Sequence, residues 1–179
     1  SISVDARTGK PRAENLELLA ATADTNSDLL SMRAFSMNMP FAALLANGYK
    51  DLETRNGTMF TSYSEGTHFL LHVGQRTYPD GDRHLEIMKS GGLSDVEIDN
   101  LKALPEGFDR GMVVAILEVG RTYETTLEER SDPDMQRRIG AYGEDSGFRA
   151  TEIRRVQYLK RPVKMPAKGG VFKVQIPRD

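Results

Sequence analysis

The sequence contains no cysteine, only three histidines and no long apolar run. The absence of cysteine excludes a disulfide framework and a cysteine-based zinc site. The histidines, His68, His72 and His84, are too few and too scattered to indicate a metal cluster, so we expect neither a metal nor a cofactor. No segment approaches the ~18 apolar residues of a membrane span, and the first residues do not resemble a signal peptide. We therefore expect an intracellular, cytoplasmic protein without a membrane partner.

The net charge of −2 over 179 residues is unevenly distributed. Residues 149–179 contain nine Lys or Arg and two Asp or Glu, a balance of +7, so the preceding residues carry −9. Such a basic C-terminal block either forms an anion-binding face or places basic side chains on edge strands, where they prevent aggregation. The composition alone favours neither.

The length of the chain indicates one domain with an additional arm. We assign residues 1–31 to an N-terminal arm with a short helix and residues 32–179 to the domain, which includes a helical insertion at about 76–106. About five or six strands around few helices predict an α+β fold built on a small mixed β-barrel with short peripheral helices. The predicted strands include a short one at 58–63, and the predicted arm helix covers residues 14–23.

The most specific pattern follows the first predicted strand of the domain. Pro40 fits the first turn of a short apolar helix, and Gly48 can end that helix in the left-handed conformation. Lys50, Glu53 and Arg55 come directly afterwards. Strand alternation places Glu53 and Arg55 on one face, and a twist or bulge near the helix end can bring Lys50 to the same face.

This pattern resembles the signature of the ASCH domain family, which belongs to the PUA-like superfamily of small β-barrels. In that signature an apolar strand and a Gln-Pro-Trp-Ala helix start precede GxKxxExR. Met39 and Phe41 stand where the family often has Gln and Trp. The similarity covers residues 32–177. The later segments that resemble family strands are 70–74, 104–115, 147–148 and 162–172.

The resemblance implies a cleft that binds RNA or a modified nucleotide. Glu53 would accept a hydrogen bond from an exocyclic amine, and Arg55 would bind a base edge or a phosphate. The alternative for this pair is an ion pair that stabilises the mouth of the barrel.

Phe41 and Tyr142 are candidate stacking surfaces. His72 is a further candidate, although a histidine in a buried strand more often has a structural role. The candidate phosphate-binding cations are Lys50, Arg149, Arg154, Arg155 and Lys168.

Two other functions stay open, and with them whether the protein is an enzyme. A hydrolase of the ASCH type would cleave RNA, using Lys50, Glu53, Arg55 or His72, or would act on N4-acylated cytidine. The resembling amidohydrolases pair the lysine with a threonine three residues later, and that position is Glu53 here. This departure favours recognition of a nucleotide over attack on one. A protein-interaction module would instead present the arm and the insertion to a protein partner.

Overall fold

The computed structural model describes residues 2–4, 11–13 and 28–178. The described strands are β1 (Ile2–Val4), β2 (Pro11–Ala13), β3 (Leu29–Met39), β4 (Leu52–Arg55), β5 (His68–Thr77), β6 (Met112–Glu124), β7 (Arg149–Lys164) and β8 (Phe172–Pro177). The described helices are α1 (Phe41–Ala46), α2 (Arg83–Ser90), α3 (Asp95–Lys102), α4 (Leu127–Arg130) and α5 (Pro133–Ile139), with a 3-10 turn at Gly143–Asp145.

The domain is built on a six-stranded mixed sheet in the order β4-β7-β6-β5-β3-β8. Its neighbouring strands are antiparallel except for β3 and β5, which are parallel. A parallel pair requires a crossover connection, and α1, β4 and the turns after β4 supply it. Within the described residues the end strands β4 and β8 do not pair, so the sheet is open. The α+β class with short helices is confirmed, whereas closure of the sheet into a barrel is not.

The N-terminal region contributes a separate two-stranded antiparallel sheet made of β1 and β2. The helix expected at residues 14–23 lies outside the described residues. The large sheet begins earlier than the expected domain, because β3 starts at Leu29 and pairs there with β8. No helix in the described part of the chain is long and apolar enough to cross a membrane.

Both faces of the central strand β5 are buried over most of its length, which explains the nearly continuous apolar character of this strand. Side chains alternate along a strand, so Leu71 packs into the core that α1 covers, and Leu70 packs into the core on the opposite face. The first core is rich in aromatic rings: Phe35 packs edge-on against Phe60 at 5.0 Å and against Phe69 at 6.0 Å. Each fully buried side chain of this size stabilises the fold by roughly 1.5–3 kcal/mol.

Local sequence signals set the bounds of the helices near the site. Helix α1 begins directly after Pro40, and Gly48 follows it with a φ of 79°, as expected. Helices α2 and α3 form the insertion, and Ser94 and Glu97 bond reciprocally at the start of α3 in a capping box. The strand expected at 58–63 is wrong. These residues form turns, because local hydrogen bonds such as Thr61 N–H to Thr58 O replace a ladder.

Candidate functional site

A cleft of about 740 Å³ lies between two walls of the domain. One wall consists of the end of β3, Phe41, Lys50 and residues 53–59. The other consists of Tyr78, Asp80 and Arg83 from the insertion, together with Ile139, Ala141 and residues 144–147. The volume falls within the roughly 300–1,000 Å³ that is typical of small-molecule sites.

Lys50, Glu53 and Arg55 converge on the first wall. The Nζ of Lys50 lies 3.2 Å from Glu53 Oε2, and the Nε of Arg55 lies 3.1 Å from Glu53 Oε1. Strand β4 begins only at Leu52, so the alternation of side chains along the strand does not apply to Lys50. Its side chain can therefore point toward Glu53. The carboxylate of Glu53 is therefore held between two cations.

Lys50 is buried and is anchored by more than Glu53. Its side chain is 4% exposed, and its Nζ donates to the carbonyls of Leu52 at 2.6 Å and Ile139 at 2.7 Å. Ile139 is the last residue of α5, so Lys50 satisfies a carbonyl that the helix leaves without a partner. Burial lowers the pKa of Lys50, and the neighbouring Glu53 carboxylate opposes this shift.

Arg55 is the member of this group that a ligand reaches most easily. Its side chain is 30% exposed, compared with 9% for Glu53. The guanidinium carbon lies 5.9 Å from the ring centroids of both Phe35 and Phe60, so the guanidinium packs on two rings of the aromatic core. These contacts fix the guanidinium beside Glu53 without covering it.

Phe41 and Tyr78 supply the aromatic surface of the cleft. Their rings pack edge-to-face with centroids 5.4 Å apart, and Tyr78 is 47% exposed. The Nζ of Lys50 lies 5.9 Å from the centroid of Phe41. Tyr142, the other stacking residue expected from the sequence, does not line the cleft. Its hydroxyl donates to Glu86 at 2.7 Å, and Arg83 packs over its ring at 4.6 Å.

The second wall contains acidic groups that are already engaged with a cation. Arg83 pairs with Glu144 and, at 2.7 Å from its Nε, with Asp145 Oδ2. These contacts join α2 to the 3-10 turn within the second wall. Each basic side chain described in the cleft, on either wall, thus has a carboxylate partner.

Asp80 holds the loop that leads into α2. Its Oδ2 accepts from His84 Nδ1 at 2.6 Å, and its Oδ1 accepts from the backbone N–H of Asp82 at 3.0 Å. Burial raises the pKa of Asp80, but the hydrogen bonds from His84 and Asp82 outweigh it and leave the pKa below its usual range. Potential metal-ligand atoms of Asp80, Asp82 and His84 lie within 4.8 Å of one another. Since His84 is already bonded to Asp80, we assign this cluster to the support of the loop.

Several residues expected at the site lie outside the cleft. His72 is fully buried, and its ring nitrogens bond to Ser36 Oγ at 3.0 Å and to the Met165 carbonyl at 2.8 Å, which is a structural arrangement. Lys168 is exposed in the connection between β7 and β8. The three arginines of β7 that were expected at the site pair with acids elsewhere: Arg149 with Glu124, Arg154 with Glu65 and Arg155 with Glu118.

Five charged or aromatic residues of the cleft are not expected from the sequence: Tyr78, Asp80, Arg83, Glu144 and Asp145. They lie in or beside two polar loops, and the density of charge in those loops was the available signal. Their approach to Lys50, Glu53 and Arg55 depends on the tertiary fold. No protein-family model matches the chain, so the geometry and chemistry of the cleft carry its functional interpretation.

Proposed function

We propose that the protein is an ASCH-type domain that binds RNA or a modified nucleotide in this cleft, and that its open sheet is a variant of the PUA-like barrel. The observation that supports this proposal most strongly is the convergence of Lys50, Glu53 and Arg55 beside Phe41 and Tyr78 on one cleft. These groups provide an acceptor, a planar donor and an aromatic face, which are the chemical elements of base recognition.

Each of these groups has a specific part in recognising a base. The fixed carboxylate of Glu53 accepts from an exocyclic amine, while the partly exposed guanidinium of Arg55 donates to a base carbonyl or ring nitrogen. Tyr78 offers an exposed ring for stacking. Because Lys50 and Arg55 hold Glu53 from two sides, little conformational freedom is lost when a base binds.

A hydrolase is the second candidate, because burial lowers the pKa of Lys50 within the cleft. A lysine perturbed in this way is typical of acid–base chemistry. The Lys50 ammonium, however, donates to the carbonyls of Leu52 and Ile139. Turnover of N4-acetylcytidine that is lost in Lys50→Ala would favour the hydrolase, and no turnover at high enzyme concentration would exclude this substrate.

The binding proposal is tested by replacing Arg55 with alanine. We expect roughly a 5- to 150-fold loss of affinity for short single-stranded RNA, because a well-formed arginine contact to a base contributes about 1–3 kcal/mol. Fluorescence anisotropy measures the affinity, and thermal unfolding checks that the variant is folded.

The matched control is Arg154→Ala. Arg154 is an exposed arginine on β7 that pairs with Glu65 and does not line the cleft. Its replacement is expected to leave the affinity unchanged. An unchanged affinity in folded Arg55→Ala, or equal losses in both variants, would refute the assignment of the site.

A further inference from the structure

A second cavity of about 390 Å³ adjoins the cleft. Tyr78 and Asp80 line both spaces, so they form the ridge between them. Lys102, at the end of α3, and Arg110, just before β6, line only the second cavity. The two spaces are therefore positioned to bind neighbouring parts of one ligand.

The basic side chains of the two spaces differ in whether they form ion pairs. In the cleft, Glu53 lies beside Lys50 and Arg55, and two acids pair with Arg83. In the second cavity, neither Lys102 nor Arg110 forms an ion pair within the part of the chain that the structure describes. The cleft thus suits an uncharged base, whereas the second cavity retains cationic groups that can bind an anion.

Arg110 is held in position by neutral partners. Its guanidinium donates to the carbonyl of Arg76 at 2.8 Å and to Thr77 Oγ1 at 2.9 Å, which fixes the group without neutralising its charge. The carboxylates at this cavity are Asp80 and Asp82. Asp80 already accepts hydrogen bonds from His84 and from the Asp82 N–H, so it is oriented toward its own loop.

The ridge itself presents an aromatic face. The Tyr78 N–H donates to the Met39 carbonyl at 2.7 Å, and the ring packs on Phe41 with an interplanar angle of 76°. These contacts fix an otherwise exposed ring between the two spaces. Fixed and exposed aromatic rings are the stacking platforms of single-stranded nucleic-acid sites.

We propose that the second cavity binds the phosphate that links the base in the cleft to the next nucleotide, with the strand crossing Tyr78. This inference rests on the proposed function and narrows it: the ligand is a phosphate-bearing RNA segment rather than a free nucleoside. Lys102 and Arg110 bind the phosphate, and Tyr78 stacks with a base.

The test compares four sets of probes by isothermal titration calorimetry: the four nucleosides, their 3′-monophosphates, their 5′-monophosphates and the four homodinucleotides. For the preferred base, we expect the nucleoside to bind most weakly, a monophosphate to bind about tenfold more tightly and the dinucleotide to bind most tightly. Equal affinities for nucleoside, monophosphates and dinucleotide would overturn the inference and leave the proposed function standing. If none of the probes binds, the proposed binding of RNA in the cleft fails and the inference, which concerns an RNA segment, fails with it.

Variants separate the phosphate site from the base site. Lys102→Ala is expected to lower the affinity for the phosphate-bearing probes about three- to tenfold and to leave the affinity for the nucleoside unchanged. Tyr78→Ala is expected to lower the affinity for the dinucleotide about 5- to 150-fold, whereas Tyr78→Phe is expected to retain most of that affinity. Lys89→Ala is the control, because this exposed lysine of α2 pairs with Asp95 and lines neither space. Equal effects of Lys102→Ala and Lys89→Ala would also overturn the inference.

Discussion

Lys50 and Glu53 have a structural and a functional role at the same time. Glu53 compensates the charge of a lysine that is 4% exposed, and Lys50 also caps α5 through the Ile139 carbonyl. Breaking a buried pair by removing one partner costs about 3–5 kcal/mol, because the remaining charge is left uncompensated. Loss of binding in a Glu53 variant is therefore informative only when the stability is measured alongside it.

We expect Glu53→Ala to lower the free energy of unfolding by about 3 kcal/mol at about pH 7. The pKa of Lys50 is already lowered by burial, and removal of the Glu53 carboxylate lowers it further. The folded protein then releases the lysine proton at a pH where the unfolded chain still holds it, so raising the pH stabilises the folded state. The difference in the free energy of unfolding between Glu53→Ala and the unchanged protein should therefore become smaller between about pH 7 and about pH 9.5.

Chemical denaturation at both pH values measures this effect. Glu65→Ala is the control, because the partner of Glu65 is the exposed Arg154 and exposed ion pairs contribute only about 0–1 kcal/mol. A Glu53→Ala deficit that does not change with pH, or that grows with pH, would contradict the role of the Lys50 charge.

At the scale of elements, the cleft depends on a close contact between β4 and the loop that precedes β7. Gly147 lies so near the end of β4 that an added Cβ would come 2.3 Å from the carbonyl carbon of Arg55 and 2.6 Å from the nitrogen of Asn56. Both are backbone atoms, so relief requires movement of the strand. The lack of a side chain at Gly147 thus allows the close approach that positions Arg55 in the cleft.

Gly147→Ala is expected to lower the free energy of unfolding by about 1–3 kcal/mol, because overpacking forces the backbone to shift. RNA affinity should fall as well, since Arg55 moves with the strand. Gly169→Ala is the matched control, because nothing lies within 4 Å of the Cβ that it would add. Thermal unfolding and RNA titration of both variants provide the measurement, and equal stability of the two would disprove the contact.

At the scale of the whole molecule, part of the uneven charge of the sequence is compensated by ion pairs between elements. Arg149, Arg154 and Arg155 from the basic C-terminal block pair with acidic residues of the preceding part of the chain. Those pairs lie outside the cleft. These three arginines therefore take part in contacts between elements, and no residue of the block lines the cleft.

A shallow dependence of RNA binding on salt follows from this distribution. With one or two phosphates neutralised, the logarithm of the binding constant should fall with the logarithm of the salt concentration with a slope of about −0.7 to −1.4. Anisotropy titrations over a range of salt concentrations measure the slope, which should be the same in the double variant Arg154→Ala/Arg155→Ala. A slope steeper than about −3 that becomes shallower in the double variant would place the basic block at the interface.

Local physical chemistry explains which features could be predicted from the sequence. Pro40 and Gly48 bound α1, and the Ser94–Glu97 capping box begins α3, because these signals act within a few residues. The placement of Glu53 and Arg55 on one face follows from strand alternation in the same way. The sequence of the six-residue segment 58–63 predicts a strand, because its composition does not reveal that no partner strand within the described residues pairs with it.

The sequence by itself determined the bounds of α1 and the charged strand that forms one wall of the cleft. The tertiary structure decided the rest. It left the sheet open, turned Lys50 toward Glu53, and brought Arg83 to Glu144 from 61 positions away. The reason is that periodicity and capping depend on neighbours within about one helical turn, whereas such pairs depend on strand order, which the topology sets.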